Sequence, residues 1–207
     1  AEQAGVDGIV VHLREDRRHI SERDVRLLRE LVTTKLDLEM AATEEIIRIA
    51  CDVVPDLATI VPEKRLELTT EGGINVIDSI DILKAAIKDL HNAGVPVSLF
   101  IEPEMEQIDA AAEIDADFIE IHTGVFANAI IEDERIDELE KIRLAAKHAK
   151  KLGMGVNAGH GLDYNNIKIF RELTDIDEVS IGHAVMARAM FVGISEAVRE
   201  MIALLRK

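Results

Sequence analysis

The sequence contains very few cysteines and aromatic residues, and each shortage excludes a class of protein. One cysteine among 207 residues permits no internal disulfide and no cysteine-cluster metal site, and it suits the reducing conditions of the cytoplasm. Aromatic residues make up only 3% of the chain, too few to build stacking platforms for single-stranded nucleic acid. We expect neither a membrane span nor a signal peptide, because no apolar run is long enough.

Positive charge is also scarce. The chain carries 24 basic and 40 acidic residues, for a net charge of −16, which repels nucleic acid and anionic membranes and makes both improbable partners. An anionic substrate would need a local basic patch, and Arg14, Arg17 and Arg18 form the densest one. With 48% hydrophobic residues, the chain is long enough for one large core, so we expect a single domain over residues 1–207.

Short apolar segments alternate with amphipathic segments along the chain. The apolar segments predict strands over residues 8–12, 36–40, 57–61, 97–101, 118–122, 155–158 and 178–181. Helices are predicted over about 22–32, 44–52, 76–92, 104–112, 133–152, 165–173 and 184–205. This alternation predicts an α/β protein with parallel strands and right-handed crossovers.

Two architectures fit that alternation: an open doubly wound sheet and a (β/α)8 TIM barrel. Polar residues stand at the carboxyl end of nearly every predicted strand, including His12, Glu39, Glu63, Glu102, His122, Asn157 and His183. An open sheet gathers its site at one switch point, whereas a barrel draws on many strands. No glycine-rich dinucleotide motif follows any strand. We therefore favour the TIM barrel, with seven of its eight strands in this sequence.

Histidines are concentrated at these strand ends. Five of the seven fall at or just after a predicted strand, namely His12, His19, His122, His160 and His183. Because histidine exchanges protons near neutral pH, several at one barrel mouth indicate multi-step proton transfer or a metal. We expect no metal, since no His-x-His or His-x-x-x-His pair is present. For any one histidine, a structural role remains open.

Two carboxylates belong to the same predicted mouth. Glu39 lies near the end of its strand, where burial would raise its pKa toward the range of a general base. Glu120 precedes His122 by two residues and shares its face of the strand, so it should point into the barrel. A salt bridge to a buried Arg or Lys is the alternative for Glu120. For the charged loop after His12, the alternative is a solvated loop whose Arg and Asp/Glu residues pair with one another.

Glycine-rich segments follow the last two predicted strands. Gly159-His160-Gly161 and Gly182-His183 could hold a phosphate through backbone N–H groups at a helix N-terminus. A third segment, Thr69-Thr70-Glu71-Gly72-Gly73, could form a mobile lid with its glycines as the hinge. An ordinary long connection is the alternative for that segment.

Several stretches, taken together and in order, resemble the pyridoxine 5'-phosphate synthase family. They are residues 12–20, 38–40, 61–65, 69–73, 118–124, 157–162 and 181–183. The resemblance implies a (β/α)8 barrel that condenses 1-deoxy-D-xylulose 5-phosphate with 3-amino-2-oxopropyl phosphate, closing the pyridine ring of vitamin B6 and releasing phosphate and water. It implies no redox cofactor and no metal, and a homo-oligomer, typically an octamer.

The resemblance also implies roles for individual residues. His12 and Glu39 resemble proton acceptors, His160 the proton donor, and Glu120 a stabiliser of charged intermediates. The contacts to the deoxyxylulose phosphate are expected from Arg14, His19 and Thr69. The cradle for the phosphate of the aminoketone is expected from Gly161, Gly182 and His183.

The sequence departs from the family pattern at its beginning. Members begin with a strand resembling Asn-x-Asp-His and a following Arg-containing segment, and about thirty residues of that kind, one strand and most of a helix, have no counterpart here. The alternative function is therefore a truncated barrel that folds and oligomerises without turnover. Another phosphate-binding barrel enzyme, such as an aldolase, would need a lysine at a strand end for a Schiff base, and no predicted strand ends in one.

Overall fold

Seven parallel strands follow one another in the sheet in the same order as in the chain. The computed structural model describes residues 1–63 and 72–206. Its strands are β1 (Gly8–Leu13), β2 (Lys35–Met40), β3 (Leu57–Ile60), β4 (Val97–Ile101), β5 (Phe118–His122), β6 (Gly155–Gly159) and β7 (Glu178–Ser180). The predicted strands are confirmed, with ends that differ by one residue at most.

The sheet curves into a nearly closed barrel. Within the described residues, β1 and β7 each pair with a neighbour on one side only. An ion pair between Lys35 of β2 and Glu178 of β7 nevertheless links the last strand to the second one at the amino-terminal side of the barrel. The α/β barrel predicted from the sequence is therefore confirmed, with seven strands.

The helices lie between consecutive strands and after the last one. They are α1 (Glu22–Leu31), α2 (Glu44–Val53), α3 (Ile80–Asn92), α4 (Met105–Glu113), α5 (Gly124–Asn128), α6 (Glu132–Lys151), α7 (His183–Val192) and α8 (Ile194–Leu205). None of the helices in the described ranges is long and apolar enough to cross a membrane. The short α5, which directly follows β5, was not predicted.

Three predicted helices differ from the observed ones. The helix expected from residue 76 begins at Ile80, because residues 76–79 form a turn. The backbone N–H of Val76 donates to the side chain of Gln107. The helix expected over 165–173 is a 3-10 helix, Ile167–Glu172. The single helix expected over 184–205 is divided by Gly193, whose φ of 82° ends α7 and begins α8.

The two faces of the barrel strands have opposite chemistry. Register pairs place alternate residues on one face, and the outward residues are apolar and fully buried against the helices: Leu36, Leu38, Ala58, Ile60, Val97, Leu99, Ile119, Ile121, Val156 and Ala158. Most inward residues are polar, among them Asp37, Glu39, Thr59, Ser98, Glu120 and Asn157. The apolar core of this protein is thus the layer between strands and helices, and the barrel interior is a polar chamber.

Asp37 shows what this interior does to a carboxyl group. Its two oxygens accept hydrogen bonds from the Thr59 hydroxyl at 2.9 and 3.0 Å. Burial raises the pKa of Asp37 from its usual 3.8 to about 7, and the negative charges of Glu39 and Glu178 act in the same direction. The interior therefore favours the protonated, neutral form of this side chain.

We predict that Asp37→Asn stabilises the protein relative to wild type more at alkaline pH than at acidic pH. A carboxyl group whose pKa is higher in the folded than in the unfolded state contributes stability below its unfolded pKa, and this is lost as pH rises through the folded pKa. The loss amounts to at most about 4 kcal/mol. The Asn side chain is neutral at every pH, and its oxygen can still accept a hydrogen bond from the Thr59 hydroxyl.

Urea denaturation at about pH 5 and pH 8 measures this effect, since the pH dependence of the free energy of unfolding should flatten in the variant. Asp89→Asn, on an exposed position of α3, is the control and should keep the wild-type dependence. An Asp37→Asn protein with unchanged pH dependence would show that Asp37 is ionised in the folded protein.

Candidate active site

The polar side chains at the carboxyl ends of the strands surround the mouth of the barrel. β1 and β2 supply His12 and Glu39, which are direct register partners. Beyond β4, Glu102 faces His122 at the end of β5, and His160 follows β6. The structure therefore brings together residues that are far apart in the chain, as a barrel mouth does.

His12 lies between two carboxylates. Its Nε2 is 2.8 Å from Oε1 of Glu63, and its Nδ1 is 3.6 Å from Oε2 of Glu39. The other oxygen of Glu63 accepts the backbone N–H of Glu15 at 2.8 Å. Glu63 thus fixes both the imidazole ring and the start of the loop after β1. The sequence named Glu63 only as a polar strand end and missed this contact.

Glu39 has the environment of a proton acceptor. Burial raises its pKa, and the proximity of His12 opposes that effect. A carboxyl group with a raised pKa binds a proton more readily than an exposed one, and the adjacent imidazole can share that proton. Glu39 and His12 therefore place a carboxyl group with a raised pKa beside an imidazole at the barrel mouth.

Glu120 is enclosed inside the barrel below this pair. The Ser180 hydroxyl donates to it at 3.4 Å, whereas the salt bridge considered from the sequence would need an Arg or Lys partner. Burial raises the pKa of Glu120 well above its ordinary value, and the charges of Glu39 and Asp37 raise it further. Burial therefore favours the protonated form of Glu120, and in that form the carboxyl group can donate a hydrogen bond.

His160 is held in an uncommon backbone conformation. Its φ is 79°, in the left-handed region that few residues other than glycine adopt. The buried Thr123 hydroxyl is placed to donate to the carbonyl oxygens of Gly159 and His160, at 2.8 and 2.7 Å. The ring of His160 packs against His122, with centroids 5.0 Å apart. Such strain at a strand exit is typical of functional sites.

His122 and Glu102 form a second imidazole–carboxylate pair. Nδ1 of His122 is 2.8 Å from Oε1 of Glu102, and the same oxygen accepts the backbone N–H of Gly73 at 2.8 Å. Phe100 packs edge-on against the His122 ring, with centroids 5.3 Å apart. The sequence placed both residues at strand ends, but their pairing depends on the neighbouring positions of β4 and β5.

The basic residues after β1 are paired with acidic residues of nearby segments. Arg14 makes two hydrogen bonds of 3.2 Å to Asp16, which also pairs with Arg18. Arg17 contacts Glu22 and Glu45. These contacts agree with the alternative of a loop with internal charge pairs. An incoming phosphate would therefore compete with Asp16 for the Arg14 guanidinium.

The remaining predicted site residues lie around the mouth or outside the described ranges. His19 is exposed in the loop between β1 and α1. Gly161 has a φ of 80°, and Gly182 and His183 are the N-cap and first residue of α7. Thr69, and with it residues 69–71 of the proposed lid, lies outside the described residues. Within the described ranges, no group of three or more His, Cys, Asp or Glu side chains is arranged to hold a metal ion.

Gly159 leaves the space that the Glu120 carboxyl group occupies. A β-carbon at position 159 would stand 2.1 Å from Oε1 of Glu120 and 3.2 Å from Cβ of Ser180. We predict that Gly159→Ala displaces Glu120 and lowers the free energy of unfolding by about 1–3 kcal/mol. Urea denaturation measures the loss.

The double variant Gly159→Ala/Glu120→Asp is the matched control, because the shorter acid leaves room for the added methyl group. It should be more stable than the two single effects added together predict. Strict additivity of the two substitutions would show that the methyl group does not meet the Glu120 side chain.

Comparison with known proteins agrees with this geometry. The family described as "Pyridoxal phosphate biosynthesis protein PdxJ" matches residues 1–207. Pyridoxine 5'-phosphate synthase of Syntrophobacter fumaroxidans is 54% identical over 204 residues, which cover 99% of this chain and 86% of the relative. The synthase of Chlorobium phaeobacteroides is 55% identical over 206 residues, covering 100% of this chain and 87% of the relative.

Solved structures with much lower identity share the fold alone. KGPDC from Streptococcus mutans superposes with a TM-score of 0.69 at 16% identity, over 97% of this chain and 85% of that one. Phosphoribosyl anthranilate isomerase from Thermus thermophilus gives a TM-score of 0.63 at 16% identity, over 99% and 90% of the two chains. On the full-length family match and the identity to its curated members, the chain belongs to the PdxJ family of pyridoxine 5'-phosphate synthases.

Proposed function

We propose that this chain condenses 1-deoxy-D-xylulose 5-phosphate with 3-amino-2-oxopropyl phosphate to form pyridoxine 5'-phosphate. Membership of the synthase family supports the ring-forming reaction. The observation that carries the proposal is the group formed by His12, Glu39 and Glu63, one imidazole between two carboxylates at the barrel mouth. Imine formation, loss of water and loss of phosphate each require a proton to be moved, and this group can move one.

His12 and Glu39 are the proposed proton acceptors. Glu63 holds the His12 ring at 2.8 Å and so sets its orientation, as the carboxylate partner of a catalytic histidine does. Burial keeps the pKa of Glu39 raised, which suits a base that must take up a proton from the substrate. Nδ1 of His12 lies 3.6 Å from Oε2 of Glu39, and a small movement of either side chain would bring the two atoms to the hydrogen-bond distance that proton transfer requires.

Glu120 and His160 have the complementary roles. A neutral Glu120 can donate a hydrogen bond to an oxygen on which negative charge develops, and the enclosed interior strengthens that interaction. His160 is the proposed proton donor, and Thr123 fixes the backbone that carries it. The proposed acid and base groups thus reach the mouth from different strands. A substrate between them could lose a proton to one group and receive a proton from another.

The phosphate groups of the substrates are assigned to two places at the mouth. Arg14, His19 and Thr69 are proposed to contact the deoxyxylulose phosphate. Gly161, Gly182 and His183 are proposed to cradle the aminoketone phosphate, with the N-terminus of α7 offering backbone N–H groups.

A homo-oligomer, an octamer by resemblance, also remains a prediction. Exposed apolar side chains on α7 support it, since Met186, Met190 and Phe191 are 59%, 84% and 86% exposed. Apolar side chains in such a group are typical of a surface that another protein surface covers.

We predict that Glu39→Gln abolishes ring closure and leaves substrate binding within a few-fold of wild type. Gln keeps the shape of the side chain but cannot accept a proton, and a positioned base contributes about 10²–10⁴-fold to the rate. Steady-state formation of pyridoxine 5'-phosphate from the two substrates measures the effect. Glu30→Gln, at an exposed position of α1, is the control. Wild-type turnover by Glu39→Gln would refute the role of Glu39.

We predict that a phosphate ion lies against the backbone N–H groups near Gly161 and Gly182. The reason is that two glycine-containing exits lie on the adjacent strands β6 and β7, the second of them opening a ten-residue helix. A crystal structure determined in phosphate would show the ion. Anions found only at other places would contradict this assignment.

A further inference from the structure

The side chain of His122 has a buried nitrogen for which the roles above provide no partner. Only 5% of the side chain is exposed, and within the described residues Nε2 has no hydrogen-bond partner. A buried polar atom of this kind usually costs stability, so its retention at a barrel mouth indicates a function. The resemblance to the family gave no role to His122.

The contacts of Glu102 determine which nitrogen of His122 carries a proton. Although burial acts to raise the pKa of Glu102, hydrogen bonds from His122 and from the Gly73 N–H lower it, so that this carboxylate remains charged. A carboxylate accepts hydrogen bonds and donates none, so Nδ1 of His122 must be the donor. In the neutral ring, Nε2 therefore presents a lone pair.

The side chain of His122 belongs to the lining of an acidic cavity. The cavity has a volume of about 850 Å³, and His122, His160 and Glu102 contribute to its wall, together with Glu104 of the α4 N-cap and Glu134 and Glu138 of α6. Lys141 pairs with Glu138 and offsets part of this charge. Negative charge and an imidazole lone pair together favour a protonated amine over a phosphate.

The cavity lies next to the proposed phosphate cradle. A β-carbon on Gly124 would stand 2.4 Å from Nε2 of His122, and a β-carbon on Gly161 would stand 3.7 Å from the α-carbon of Gly124. Gly124, which has no side chain, therefore lies between Nε2 of His122 and Gly161. The proposed cradle and His122 are therefore neighbours, so a short ligand with its phosphate at the cradle would have its other end near His122.

We propose that His122 binds the ammonium group of the aminoketone phosphate through Nε2 and removes its proton, and that Glu102 is the residue that positions His122. This inference rests on the proposed function, because it identifies the amine subsite of that reaction. His122 would be a catalytic residue, since it contacts the reacting nitrogen. Glu102 acts only through His122.

The step is a simple proton transfer followed by addition. The ammonium N–H bond breaks and its proton moves to Nε2, which gives a neutral amine and an imidazolium ion paired with Glu102. The freed lone pair of the amine attacks the ketone carbon of the deoxyxylulose phosphate. The carbonyl π electrons move to the oxygen, which takes a proton from the acid of the site. Without deprotonation the amine has no lone pair for this bond.

Binding of two probes to the full chain tests the amine subsite without turnover. We expect 3-aminopropyl phosphate to bind wild type at least about tenfold more tightly than propyl phosphate, which lacks the amine. His122→Asn retains a donor toward Glu102 but removes Nε2, and it should lose that preference while its affinity for propyl phosphate is unchanged. Titration calorimetry measures both affinities.

The matched control is His91→Asn. His91 also pairs at 2.8 Å with a carboxylate, Asp117, which likewise accepts a backbone N–H at 2.8 Å, but the pair lies on the outer surface. This variant should keep the wild-type preference for the amine. If His122→Asn fails to fold, His122→Gln, which has no basic nitrogen, replaces it. An amine preference retained in the folded His122 variant would overturn the proposal.

Nitrogen NMR of the full chain measures the chemical shift of Nε2 of His122, which would not respond to the amine if His122 had only a structural role. In wild type above neutral pH, Nε2 of His122 should be the unprotonated nitrogen, and adding 3-aminopropyl phosphate should shift its resonance while propyl phosphate should not. Glu102→Gln should broaden the tautomer distribution and lower kcat more than it raises KM. An Nε2 resonance that does not shift when 3-aminopropyl phosphate is added would overturn the proposal. Absence of pyridoxine 5'-phosphate formation by wild type would instead refute the proposed function.

Discussion

The cost of burying carboxyl groups governs the chemistry of this barrel. Asp37, Glu39 and Glu120 share one enclosed interior, and burial raises the pKa of each. Three negative charges at such short range in a medium of low polarity would repel one another strongly. The interior therefore favours the protonated forms of these acids, and the apolar layer between strands and helices supplies the stability that this arrangement requires.

Two imidazole–carboxylate pairs lie on different sides of the barrel mouth. His12 is held by Glu63 beside Glu39, and His122 is held by Glu102 beside His160. Each histidine has one nitrogen engaged by a carboxylate that also accepts a backbone N–H. The same arrangement thus occurs twice at the mouth, on strands at different sides of the barrel.

The alternation of strands and helices predicted a parallel α/β fold, and the polar residues at many strand ends favoured the barrel over an open sheet. Period and composition located all seven strands, and polar strand ends located His12, Glu39, Glu102 and His122 at one mouth. The pairing of Glu102 with His122 and of Glu63 with His12 could not be predicted, because it depends on side-chain directions in neighbouring strands. The polar interior was equally hidden, since Ser98 and Asn157 in a mainly apolar strand give no sign of which face is enclosed. Gly193 ended a helix that its flanking residues would have continued.

The sequential order of the strands also determines how the barrel is assembled. Each strand pairs with the one that precedes it in the chain, so the sheet can grow by one strand and one helix at a time through contacts of short sequence separation. The ion pair between Lys35 and Glu178 spans 143 residues, and it can form only after the other strands are in place. Ser180 reaches Glu120 at the same late stage. We therefore expect a folding chain to form most of its apolar core through local contacts first, and to enclose the buried acids of the interior last.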